Sequence, residues 1–99
     1  MKRDTDISFE RREDRYELLA GGKVAAFANY QSAPGHVTFV HTEVLPGNEG
    51  RGLGSQLARH VLDDSRKQGL KVSARCSFIA KFIEEHPEYQ DLLVGQNRR

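Results

Sequence analysis

Between an apolar, β-branched run and a run of helical spacing, the chain places four glycines in eight positions: Gly47, Gly50, Gly52 and Gly54, within LPGNEGRGLGSQL at 45–57. A strand that ends in a glycine loop and runs into a helix start leaves several backbone N–H groups without partners, beside the positive end of the helix dipole. Such a seam binds phosphate, and glycines at alternate positions let an anion approach the backbone unshielded. The competing explanation, a plain strand-to-helix turn, needs fewer glycines. Two familiar phosphate loops do not fit. Ser55-Gln56 follows Gly54 where a Walker loop carries Lys and then Ser or Thr, and Gly50-x-Gly52-x-Gly54 lacks the spacing of the dinucleotide fingerprint.

The hydropathy period on either side of the loop predicts the architecture. Ile7 and Phe9 alternate, a charged break follows at Glu13-Asp14, and Tyr16 and Leu18 alternate again, which is a hairpin pattern. Gly21-Gly22 marks a turn, residues 23–30 a third strand, Ser32-Ala33-Pro34-Gly35 another turn, and residues 36–45 a fourth strand rich in Val, Thr and Phe. Together these make an antiparallel meander. Leu53, Leu57 and Val61, with Ala58 and Leu62 beside them, then predict an amphipathic helix over about 52–68, closed by Gly69. Residues 70–74 read as a short strand, and a helical crossover makes it parallel to the fourth. A second helical stripe of Phe78, Ile79, Phe82 and Ile83 follows, with Ser77 placed to cap it, His86-Pro87 to stop it, and Tyr89 with His86 to close its end. The expected fold is a mixed α/β (α+β) domain over 1–99, with 94–99 a loose tail.

Composition narrows the function classes. A chain of 99 residues makes one domain with a small core. Its net charge of +1, from 15 basic and 14 acidic residues, gives no surplus for nucleic acid or a membrane surface. The early arginines alternate with acids and read as a solvated face. No apolar run reaches the length of a membrane span, and the opening MKRDTD has no signal-peptide h-region, so a cytoplasmic protein is expected. The single cysteine, Cys76, has no intramolecular disulfide partner, which fits a reducing compartment.

Val44-Leu45-Pro46 followed by Glu49-Gly50-Arg51-Gly52-Leu53-Gly54 and Leu57 resembles the acetyl-CoA signature of the Gcn5-related N-acetyltransferases (GNAT). HTEV at 41–44, CSFIAKFI at 76–83 and HPEYQDLL at 86–93 resemble the very small YjdJ-type branch of that superfamily, so the resemblance covers nearly the whole chain. It implies a GNAT-like fold in a minimal version that lacks the helix pair between strands 1 and 2, and acetyl-CoA as cofactor. By position, backbone around Glu43 to Leu45 would pair with the pantetheine arm. The cofactor residues would be Val44, Glu49, Gly50, Arg51, Gly52, Leu53, Gly54 and Ser55, with Lys81 toward the adenine or 3′-phosphate end. Glu49 departs from the Gln or Arg of the signature, and its charge works against a diphosphate.

Acyl transfer from a thioester to an amine needs a base, a donor for the developing oxyanion and a proton for the departing thiolate. His41 and Glu43, two apart on a strand, share a face just before the loop. Cys76 follows the next parallel strand, so His41 and Cys76 are expected as neighbours across the acetyl group. Cys76 has three readings: a small buried hydrophobe, a proton donor to the thiolate, or a nucleophile. His41 is a site residue or a bonded core histidine, and Glu43 is the generic base by resemblance. No metal-ligand set is assigned. The missing helices imply an open acceptor side, suited to a protein lysine or terminal amine. The function expected is therefore an acetyl-CoA-dependent N-acetyltransferase; the alternative is a non-catalytic acyl-CoA-binding or interaction module. An exposed strand edge allows a monomer or a weak dimer.

Overall fold

The computed structural model describes residues 6–94. Strands β1 (Ile7–Arg11), β2 (Arg15–Ala20), β3 (Lys23–Ala33), β4 (His36–Val44) and β5 (Lys71–Ala74) lie in that order in one sheet. Every neighbouring pair is antiparallel except β4 and β5, which are joined by helix α1 (Leu53–Lys67) and run parallel. Helix α2 (Ser77–Glu85) follows β5, and a 3-10 turn, Pro87–Leu92, ends the described elements. The meander, the crossover and the second helix all form where the apolar periods predict them. No helix among the described residues is long and apolar enough to cross a membrane.

Local departures have local causes. β3 runs on to Ala33 because Pro34-Gly35 alone make the turn, with Gly35 at φ 71, the arrangement proline and glycine favour at the centre of a type II turn. The link from β1 to β2 is only Arg12–Asp14, too short for a helix. Ser77 does not cap α2: it is the first helical residue, Cys76 holds the cap position, and no side chain caps the helix. Gly69 closes α1 as expected. At φ 72 it donates its N–H to Arg66 O, while the Leu70 N–H reaches Ser65 O, the paired bonds of a Schellman ending. Val94, expected to begin a tail, is tied by its N–H to Val72 O; residues 95–99 and the opening 1–5 lie outside the described residues.

The core lies between one face of the sheet and the two helices. Leu18, Ala26, Ala28 and Phe39 from the strands meet Leu57, Val61 and Leu62 of α1 and Ile79 and Ile83 of α2. A bulge in β4 decides which residues take part. Phe39 pairs with Tyr30 and His41 with Asn29, so Val40 is the extra residue. A bulge shifts the side-chain phase by one. Before it Val37 and Phe39 face the helices; after it Thr42 and Val44 do, opposite Ala28 and Ala26, while His41 and Glu43 turn to the other, open face.

That open face holds a buried charge. Glu17 is 6% exposed, and Arg12 Nε and Arg15 Nε donate to it at 3.2 and 3.0 Å. Arg15 also lies over the Phe27 ring at 4.5 Å. Burial pushes the carboxyl up, but the two guanidinium groups outweigh it and hold Glu17 below the usual carboxylate range. A lowered folded pKa gives stability that is present above the unfolded value of ~4.3 and lost as pH falls through the folded value. Glu17→Gln should therefore flatten the acid limb: its urea midpoint should fall less than the wild type's between pH 7 and pH 3. Equal falls would mean that the Arg pairs contribute nothing.

Candidate functional site

Two features of β4 and its surroundings make a fork. β5 pairs with β4 only from His36–Lys71 to Phe39–Ala74. There the N–H groups of Arg75 and Cys76 both donate to Phe39 O, at 2.9 and 3.1 Å, and the chain turns away into α2. β4 continues to Val44 with β3 on one side and, among the described residues, no strand on the other.

The glycine loop closes the wide end of this fork. Gly47, Gly50 and Gly52 have φ of 89, 79 and 72, a region that L side chains rarely adopt, although each has open space where a Cβ would sit. Gly52 begins α1 with no side-chain cap and no acid in the first turn. The amides of Leu53, Gly54 and Ser55 thus have no helical acceptor. They face a cavity of about 290 Å³ whose walls are Val44, Asn48, Glu49, the glycine backbone and Phe78. Such uncapped amides fit a diphosphate. Glu49 is the exception: its Oε1 accepts the Gly47 N–H at 2.9 Å, so a carboxylate folds onto the loop in the same cavity.

Gly54 leaves room for the Phe78 ring. A Cβ there would stand 2.9 Å from Phe78 Cζ, so the bare backbone seats the Phe78 ring against the start of α1. Phe78 was expected in the core stripe, yet only Ile79, Phe82 and Ile83 are buried and Phe78 is 41% exposed. The i, i+3, i+4 set takes the core, and position 78 falls on the flank beside α1.

The other sequence candidates separate. Arg51 does not line the loop cavity: its Nη1 donates to Asn48 Oδ1 at 3.0 Å, and it borders a different cavity with Lys23. Lys81 lies in a cavity that adjoins the loop cavity through Ser55 and Phe78. His41 and Cys76 are not brought together. Cys76, 8% exposed, donates through Sγ to Thr42 Oγ1 at 3.3 Å, whereas His41 Nε2 lies 3.1 Å from Glu43 Oε1 on the open face. The bulge at Val40 is the reason, since it exchanges His41 for Thr42 on the Cys76 side. Thr42 and Phe78 were missed. The signal for Thr42 was legible: the apolar phase passes from Val37 and Phe39 to Val40 and Val44. Tyr89 and His86 do close the end of α2. Tyr89 Oη donates to Asp63 at 2.7 Å, and His86 stacks on Phe82 at 3.8 Å.

Residues 15–92 match the family described as GCN5-related N-acetyl-transferase. Protein NATD1 of Bos taurus is 37% identical over 51 residues, which is 52% of this chain and 45% of that protein. The ribosomal protein bS18-alanine N-acetyltransferase of Escherichia coli is 34% identical over 55 residues, 56% of this chain and 37% of that protein. The chain thus spans about half the length, or less, of these curated relatives. Among solved structures, the solution structure of a GCN5-like protein from Staphylococcus aureus superposes with a TM-score of 0.70 at 24% identity, over 93% of this chain and 92% of that one. The crystal structure of the Escherichia coli ribosomal-protein-S18-alanine N-acetyltransferase gives 0.56 at 29% identity, over 64% and 42%. The first of these likenesses establishes the fold.

Glu49 supplies a direct test of the loop cavity. Removing a like charge beside a partly exposed anion is worth on the order of 1 kcal/mol. Glu49→Gln should bind inorganic diphosphate about fivefold more tightly in calorimetry. An unchanged or weakened affinity would mean that the anion does not sit beside Glu49.

Proposed function

This chain belongs to the GCN5-related N-acetyltransferase family, and from that premise we propose that it transfers an acetyl group from acetyl-CoA to an amine carried by a protein or peptide. The observation that carries the proposal is the fork, an unpaired β4 edge opening beside uncapped loop amides. Acetyl-CoA, when bound, supplies an activated acyl carbon on a thiol leaving group.

The residues divide the work by face. Leu53, Gly54 and Ser55 hold the diphosphate with their amides. The β4 edge near Val44 takes the amide groups of the pantetheine arm as an added strand would. This aims the arm toward Cys76 and Thr42. Glu43, oriented by His41, removes a proton from the acceptor ammonium on the open face, which frees the nitrogen to bond to the acyl carbon. Cys76 gives its proton to the coenzyme sulfur as the carbon–sulfur bond breaks, and regains one from solvent. The ammonium loses two protons in all: one is matched on the coenzyme thiol and one is released to water.

The acceptor class follows from what is missing near Glu43. With only Arg12–Asp14 between β1 and β2, no helix among the described residues roofs this face. A small amine would stay largely solvated there, whereas a protein segment brings its own surface. One relative is named for acting on an alanine of a ribosomal protein, which favours the same class. A cytoplasmic setting suits the unpaired Cys76 thiol.

Acetyl-CoA at 100 times its dissociation constant should raise stability by ~2.7 kcal/mol, and hence the melting point by ~10–20 °C in a domain this small. Glu43→Gln should keep that shift and lower kcat toward a peptide amine by ~10²–10⁴-fold. Turnover of small polyamines alone would overturn the acceptor class. A full melting shift with no transfer to any amine would make the chain an acyl-CoA-binding module.

A further inference from the structure

The open face of β2, β3 and β4, where Glu43 stands, has no covering element among the described residues, and its charges are unevenly matched. Arg15 is held by Glu17 through Nε at 3.0 Å and Nη2 at 2.9 Å, and Arg12 is shared between Glu17 and Glu10 at 3.2 and 3.1 Å. Both guanidinium groups are thus occupied by carboxylates of the sheet itself. Glu13 and Asp14, at the tip of the turn between β1 and β2, are exposed and make no ion pair among the described residues. The tip is pinned to the sheet. Arg12 N–H donates to Arg15 O at 2.8 Å, and Tyr30 N–H donates to Asp14 O at 3.0 Å. The whole chain carries a net charge of +1, so the excess of carboxylates here is local.

The register sets the distances. Glu43 pairs with Phe27 and Phe27 with Glu17, so Glu43 and the tip are separated by two strand spacings across the sheet and three residues along β2. That puts Asp14 roughly 14 Å from Glu43, a span that an extended segment covers in about four residues. Phe27 lies between, half-buried, with Arg15 Cζ over its ring at 4.5 Å and the His41 ring 6.0 Å away. An acidic segment laid across this face meets like charge at the tip, and a neutral one leaves Glu13 and Asp14 unmatched. A basic segment complements them. We propose that the open face docks a basic peptide segment, with the acceptor amine at Glu43 and a lysine or arginine about four residues away at Glu13 and Asp14. The proposal rests on the transferase reading of Glu43 and adds to it a preference for the residues that flank the amine.

Three peptides of equal length test it, each with one acceptor lysine flanked on both sides, four residues away, by arginine, by glutamine or by glutamate. Acetyl transfer gives kcat and KM, and calorimetry gives peptide affinity, for the wild type and for the double variant Glu13→Gln with Asp14→Asn. The wild type should favour the arginine peptide over the glutamine peptide by roughly fivefold, the size of two exposed ion pairs, and through KM. Added salt should shrink that preference. The double variant should lose it and keep the wild-type kcat. Equal use and equal affinity for all three peptides, or a preference that the double variant retains, overturns the proposal while the transferase reading stands. Tighter binding of the arginine peptide that the double variant loses, with no transfer to any peptide, supports the docking face and overturns the transferase reading. Binding of no peptide overturns the proposal, and a dimer in sedimentation would then assign the face to a second copy of the chain.

Discussion

β4 has nine residues and β5 only four, and this inequality governs the site. A parallel partner cannot follow β4 to its end because the chain leaves β5 at Ala74 to start α2. An abandoned strand edge normally costs unsatisfied backbone groups. Here Phe39 O takes both the Arg75 and Cys76 amides, so the separation is made at one carbonyl and α2 starts directly beside it. That junction places Cys76 against Thr42 and sets Phe78 against Gly54. The glycine loop needs both neighbours: Val44 forms one wall of its cavity and Phe78 another.

The bulge at Val40 divides the chemistry between two faces. Without it, His41 and Glu43 would lie in the phase of Phe39, pressing a histidine and a carboxylate toward the packed helices. Burying those groups without partners would cost several kcal/mol. The extra residue sends them to the open face, where they bond to each other. It brings the smaller Thr42 and Val44 inward against Ala28 and Ala26. One inserted residue thus keeps His41 and Glu43 in solvent while Thr42 between them meets the buried Cys76 thiol.

Much of this was legible because it rests on local periods. Alternation at Ile7–Phe9 and Tyr16–Leu18, the four-residue spacing of Leu53, Leu57 and Val61, and the glycines at 47–54 each follow from short-range geometry. The meeting of His41 with Cys76 is expected from the adjacency of two parallel strand ends alone, and the bulge at Val40 that turns His41 to the other face is a property of β4 and its partner together. Phe78 was assigned to the core for a similar reason: the stripe of four apolar residues in α2 is wider than the face α2 buries. Which member is left out depends on α1, and only Gly54 lets Phe78 rest there. The Ser77 cap failed because Cys76 already has the extended backbone of a cap, at φ −86 and ψ 126.

The loop also shows a trade between stability and binding. Gly52 starts α1 at φ 72, not in the extended backbone that a capping Ser, Asp or Asn needs, so the helix forgoes the ~1 kcal/mol a cap contributes. Three glycines held at positive φ each lose more conformational freedom on folding than another residue would. In a domain whose net stability is about 5–15 kcal/mol, these are large concessions at one seam. Glu49 offsets a little of this by bonding the Gly47 amide with its own carboxylate. An anion reaching the amides of Leu53, Gly54 and Ser55 satisfies groups that the chain leaves open, so binding there stabilises the fold and orders the site in the same step.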